Sequence, residues 1–116
     1  MEPTKIVQRL KKLVESDTQL AEKYYSILSI VNNVQLTTRE IQLVAFTAIK
    51  GNISNANVRD EFCRLHNSTS PSINNMISKL KKLGFFIKET SKVKVNPAIV
   101  INFKKDLTLE ISFTHE

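Results

Sequence analysis

The chain has no tryptophan, one cysteine, two glycines and three prolines among 116 residues. Each scarcity excludes something. A lone Cys63 cannot close an internal disulfide. With His66 and His115 as the only histidines, the paired ligand spacing of a zinc site is missing as well. So little glycine and proline leaves no glycine-rich phosphate loop and no long flexible linker. No apolar run approaches the ~20 residues of a membrane span, and the charged N-terminus does not resemble a signal peptide. No Ser/His/Asp arrangement or carboxylate cluster stands out. The expectation is a non-catalytic, cytoplasmic protein without cofactor or metal, and with no membrane partner.

Acids are also scarce, but only locally. No Asp or Glu occurs between Glu61 and Glu89. Segment 71–105 holds eight lysines against one acid, Glu89, a net of +7, while the whole chain carries +6. The entire surplus therefore lies in this segment. A surplus so concentrated points to a polyanion more strongly than a basic total does. The four arginines (Arg9, Arg39, Arg59, Arg64) all fall outside it. Lysine acts as a flexible point charge, whereas arginine makes the bidentate pairs that read guanine, so phosphate grip should dominate over base reading.

At 41% apolar residues the chain is long enough for one domain with its own core. Ile6, Leu10, Leu13 and Val14 predict a short amphipathic helix over 4–15, with Pro3 suited to its first turn. Ser16 and Asp17 offer caps for a second helix reaching about Asn32, with Leu20, Tyr24, Ile27, Leu28 and Val31 inward. Val34 to Leu36 reads as an extended link. Thr37-Thr38-Arg39-Glu40 is a capping-box sequence, followed by Ile41, Val44, Ala45, Ala48 and Ile49 at helical spacing and by Gly51 as a stop. Ser54 or Asn55 caps a helix over 56–66 with Val58, Phe62 and Leu65 inward; Cys63 reads as a small core residue and Asp60-Glu61 as a solvated pair. After the polar turn 66–69, Ser70 is the expected cap of a helix over 71–83 that starts at Pro71 and stops at Gly84. The period then changes: 85–89 and 92–96 read as strands joined near Thr90-Ser91. Alternation at Ile99, Ile101, Phe103 and again at Leu107, Leu109, Ile111, Phe113 predicts a C-terminal hairpin turning at Lys104-Lys105-Asp106.

On a wheel of 100° per residue, Ile73, Met76, Ile77, Leu80 and Leu83 gather on one side of helix 71–83. The other side presents Asn74, Asn75, Ser78 and Lys82, flanked by Lys79 and Lys81. A polar, lysine-bearing face is commonly a solvated one. What raises this face above that default is its setting, between a preceding helix with a short turn and a following basic hairpin. Asparagine can pair with adenine, serine with several base edges, and lysine with guanine or phosphate. Ser70 and the amides of the helix start suit a phosphate oxygen.

Residues 54–96 resemble a winged helix-turn-helix domain: a capped helix, a turn, a recognition-type helix ending Lys-Leu-Gly, and a hairpin wing. ISKLKKLGFFIK is similar to the recognition helix and first wing strand of many such regulators. KVKVNP resembles small plasmid and phage replication or regulatory proteins, whose wing returns into an Asn-Pro step. A second resemblance, over 36–55, is to LuxR-type DNA-binding domains, which lack the basic hairpin. The winged-helix resemblance implies a mainly α fold with a small β part: a core over 36–96, a helical extension over 1–35 and a β extension over 97–116. It implies binding to double-stranded DNA in regulation of transcription or replication, in host cytoplasm or a virion if phage-encoded. Asn74, Asn75, Ser78 and Lys82 would face bases, and Ser70, Lys79, Lys88, Lys92 and Lys94 would hold the backbone. The turn departs from the pattern, with Asn67 and Ser68 where a glycine and an apolar plug are usual. The alternative is a winged-helix protein-interaction module in a larger assembly such as a phage virion. A homodimer or protein partner would use the N-terminal helices or the C-terminal strands.

Overall fold

Side-chain oxygens start each of the four α-helices among the described residues. The computed structural model describes residues 4–9 and 16–115. Ser16 Oγ accepts from Gln19 N–H at the head of α1 (Asp17–Val31). Thr37 and Glu40 cap each other's backbone ahead of α2 (Thr38–Lys50), the full capping box. Asn55 opens α3 (Ala56–His66), and Thr69, accepting from Ser72 N–H, opens α4 (Ser70–Lys82). Each such cap stabilises its helix by about 1 kcal/mol.

The helix ends are equally specific. Asn67 takes the left-handed conformation at φ 51°, and Ser68 N–H turns back to the Cys63 carbonyl at 3.0 Å. The connection to α4 is thereby only Asn67, Ser68 and Thr69. At the far end of α4, Gly84 sits at φ 84°, with Gly84 N–H on the Lys81 carbonyl and Phe85 N–H on that of Leu80. Those two bonds are a Schellman stop, which glycine permits without a Cβ penalty.

The chain then forms β1 (Phe86–Glu89) and β2 (Lys92–Val95), antiparallel, with Phe86 opposite Val95 and Glu89 opposite Lys92. Their two-residue turn holds both Thr90 (φ 51°) and Ser91 (φ 64°) at positive φ, a conformation better suited to Asn-Gly. The hairpin is stitched to the α2–α3 connection: Ile53 N–H donates to the Val93 carbonyl and Val93 N–H to Ser54 Oγ. Asn96 closes its base, its side chain donating to the Gly84 carbonyl and its backbone N–H to that of Phe85. A 3₁₀ turn (Pro97–Ile99) follows.

One core joins these pieces. Leu43, Val44, Ile53, Phe62, Ile73, Leu80 and Phe86 are all essentially without exposed surface. From α1, Tyr25 is equally buried and donates its hydroxyl to the Ile99 carbonyl at 2.8 Å. Burial, with Tyr24 alongside, pushes its phenol pKa strongly upward, so it remains a donor. Phe103 packs against both tyrosine rings at 5.7 Å. Lys50 pairs with Glu61 at 2.8 Å, fastening α2 to α3.

The mainly helical class with a small antiparallel sheet is as expected, and several details differ. Residues 4–9 form no helix and are exposed, Ile6 at 87%; the rest of the expected first helix, 10–15, lies outside the described residues. Ile6 and Val7 are both exposed, and a short helix whose apolar residues pack on nothing is marginal in water. The C-terminal hairpin does not form: 100–115 contain no strand, although the chain turns at Phe103-Lys104. Ile99, Ile101, Phe103 and Leu107 instead pack singly against the core, and Tyr25 takes the Ile99 carbonyl. Two strands left to pair alone would be marginal. The cap of α4 is Thr69, not Ser70, which falls inside the helix. Glu61 is paired rather than solvated, and Cys63 is only partly buried at the rim of the core. Val31 and Leu65, expected inward, lie in the last turns of their helices and remain exposed. Among the described residues no helix is long and apolar enough to cross a membrane.

One buried group is unsatisfied. Thr47, fully enclosed in α2, has no partner for its Oγ1 among the described residues. Thr47→Val keeps the shape and removes the orphan hydroxyl. It should stabilise the protein by about 1 kcal/mol, read as a higher midpoint in urea with an unchanged slope.

Candidate nucleic-acid interface

α4 buries Ile73, Met76, Ile77 and Leu80 and turns Asn74, Asn75, Ser78, Lys81 and Lys82 outward, all exposed. The outward centre of the wheel is Asn75, Ser78 and Lys82, with Pro71 one turn earlier. Each flank of the helix is fastened to a neighbour, which fixes the aim of this face.

On one flank, Lys79 Nζ reaches Glu40 Oε1 at 2.9 Å and the Gln35 carbonyl at 3.3 Å. Glu40 is 6% exposed. Burial alone would raise its carboxyl pKa, but the Thr37 backbone N–H and the Lys79 ammonium outweigh it and the net displacement is downward. Withdrawing Lys79 would leave a buried carboxylate without its countercharge, which costs several-fold more than losing a surface pair. Lys79, expected to hold phosphate, thus tethers α4 to the head of α2.

On the other flank, Arg59 of α3 crosses to α4. Its Nη1 donates to Asn74 Oδ1 at 2.8 Å and lies 3.4 Å from Ser70 Oγ, while its Nε donates to the Ile53 carbonyl. Ser70 and Asn74 therefore sit beside a guanidinium, although the basic segment itself contains no arginine. Counting charge along the sequence missed Arg59. Its signal was helical: it lies about 60° from Phe62, at the edge of the buried stripe of α3, where a long side chain must lie across the next helix. Arg39 likewise closes the end of α3, donating Nη1 to the His66 carbonyl.

The hairpin projects beyond the C-terminal end of α4. Register places Ile87, Glu89, Lys92 and Lys94 on one face and Phe86, Lys88, Val93 and Val95 on the other. Phe86, Val93 and Val95 are buried, and Lys88 emerges near the tip. Lys88 and Lys92 are exposed, one on each face. Lys94 pairs diagonally with Glu89 at 3.0 Å, where the Glu89 side chain is 60% exposed. An open pair of this kind contributes little and a phosphate can replace it, unlike Lys79–Glu40. Glu89 is thus the one local brake on the basic surface. Glu89→Gln should tighten duplex binding a few-fold and steepen the dependence of log K on log salt by about 1, the signature of one more phosphate contact. Fluorescence anisotropy across a salt series checks both.

Among the described residues no three of His, Cys, Asp and Glu gather where they could hold a metal ion. No protein-family model, curated protein or solved structure matches the chain.

Proposed function

We propose that the protein is a non-catalytic DNA-binding protein that works in the winged helix-turn-helix manner. α4 enters the major groove and the β1–β2 hairpin lies along the phosphate backbone. The observation that carries this reading is the acid-free exposed face of α4, formed by Asn74, Asn75, Ser78, Lys81 and Lys82, with Lys88 and Lys92 exposed on opposite faces of the hairpin that follows. The order helix, three-residue turn, helix, hairpin supports it, since it is that of a helix-turn-helix unit followed by a wing. Amide and hydroxyl groups at the centre suit base edges; ammonium groups around them suit phosphates. Regulation of transcription or replication is the role that such a binder serves, with the cytoplasm as its place.

The second reading, a protein-interaction module in a larger assembly, draws on a different surface. Ile30, Val31 and the C-terminal Leu109, Ile111 and Phe113 are exposed, Phe113 at 95%. Such residues suit a protein partner or a second copy.

A gel-shift titration with random duplexes at two salt concentrations separates the two. DNA binding through several lysines gives clear retardation at low salt and a loss of about 10³-fold or more between 50 and 200 mM. An absence of binding at low salt would reject the DNA reading.

A further inference from the structure

Asn74 and Asn75 are adjacent, exposed and identical in sequence terms, but their surroundings differ. The side-chain amide of Asn75 has no hydrogen-bond partner among the described residues. Asn74 Oδ1 accepts from Arg59 Nη1 at 2.8 Å. A guanidinium carries donors only, so this contact forces the amide to turn its oxygen toward α3 whichever way it is otherwise drawn. What Asn74 has left for the groove is its NH₂ group. Pairing with adenine needs both halves of the amide, the oxygen taking N6–H and the NH₂ giving to N7. The oxygen keeps a second lone pair, but it is held on the α3 side, so the NH₂ group is the half of the amide that Asn74 turns to a base.

Arg59 is itself well placed to hold this orientation. Its Nε is anchored on the Ile53 carbonyl at 2.9 Å, and Ile53 N–H is bonded to Val93 of the hairpin. A continuous run of hydrogen bonds thus links hairpin, Ile53, Arg59 and Asn74.

We infer that Arg59 is a specificity-setting positioning residue: it holds the Asn74 oxygen on the α3 side and turns the NH₂ outward as a donor that selects a base presenting acceptors in the major groove, guanine foremost through O6 and N7. Asn75 keeps both halves of its amide and can still pair with adenine. The inference rests on the DNA-binding reading and goes one step further, from a surface to the kind of base each asparagine meets.

Selection from a pool of randomised duplexes tests it, using the full chain and its Arg59→Met, Asn74→Asp and Asn74→Ala variants. The wild type should enrich guanine at a position whose preference Asn74→Ala loses. Arg59→Met frees the amide oxygen and should move that position toward adenine by roughly tenfold, the discrimination one good side-chain–base contact carries. Asn74→Asp keeps an oxygen for Arg59 and turns the other outward, so it should move the same position toward cytosine, whose N4 amino group donates. If Arg59→Met does not fold, the wild-type preference at the Asn74-dependent position carries the test, since an amide not held by Arg59 would pair with adenine. Adenine at the Asn74-dependent position in the wild type, an unchanged preference in Arg59→Met, or no position that depends on Asn74 would each overturn the inference while duplex binding stands. A wild type that retains no duplex at low salt would overturn both readings together.

Discussion

Reversing Lys82, Lys88 and Lys92 together to glutamate should lower affinity for a random duplex by about 100-fold or more at low salt and flatten the salt dependence by about 3. These three are exposed and none makes an ion pair among the described residues. Their removal therefore changes the surface and leaves the packing alone. The cost in stability should stay near or below about 1.5 kcal/mol, about 0.5 kcal/mol for each surface substitution, with Lys92→Glu opposite Glu89 and Lys82→Glu in the last turn of α4 at the upper end of that range. Anisotropy titration over a salt series measures the binding change, and circular dichroism the melt. Lys79 provides the contrast. Substituting it should lower stability, because its ammonium sits on Glu40. An affinity loss as large for Lys79→Ala as for Lys82→Ala, at equal stability, would contradict the division of roles drawn here.

The second large effect is on stability. Glu40→Ala removes the return arm of the α2 capping box and the partner of Lys79 at once, and should cost about 2–3 kcal/mol. Glu40→Gln keeps an oxygen for Thr37 N–H, which lies 2.7 Å from Oε1 in the wild type, and loses only the charge. It should cost about half as much, since glutamine also serves in a capping box. The pH dependence follows from the direction of the shift. The Glu40 carboxyl lies below its ordinary value of 4.5 in the folded chain. The unfolded state therefore binds the proton more readily in that range. The Glu40 contribution is present in full above pH 4.5 and fades as pH falls through the lower folded value. Urea midpoints measured from pH 7 down to pH 3 should converge between wild type and Glu40→Gln at the acid end. A constant difference at all pH values would show that the charge is not what Glu40 contributes.

The local structure was legible wherever one residue type has one job. The Thr37/Glu40 box, a cap at Ser54 or Asn55 (it is Asn55), Pro71 in a first turn and Gly84 at a helix stop each follow from backbone chemistry within a few residues. The outward face of α4 was legible too, because a 3.6-residue period sorts Ile73, Met76, Ile77 and Leu80 from Asn75, Ser78 and Lys82. What could not be read is what depends on a neighbour distant in the chain. Lys79 and Lys82 are alike in sequence, yet only Lys79 meets Glu40, 39 residues away. Arg59 lies outside the basic segment and still reaches Asn74 across 15 positions. The C-terminal alternation looked like two strands, but only Ile99, Ile101, Phe103 and Leu107 of it pack on the core, while Leu109, Ile111 and Phe113 stay exposed. Phe103, beside Tyr24 and Tyr25, achieves the burial without a ladder.

If α4 and the hairpin form the surface that meets DNA, titrating isotope-labelled protein with a short duplex will show it in the amide shifts of two-dimensional NMR spectra. The largest shifts should fall at Asn75, Ser78 and Lys82 and along the tip from Lys88 to Lys92, with α1 and residues 107–115 nearly unmoved. Shifts concentrated on α1 or on 107–115, with α4 unmoved, would contradict it.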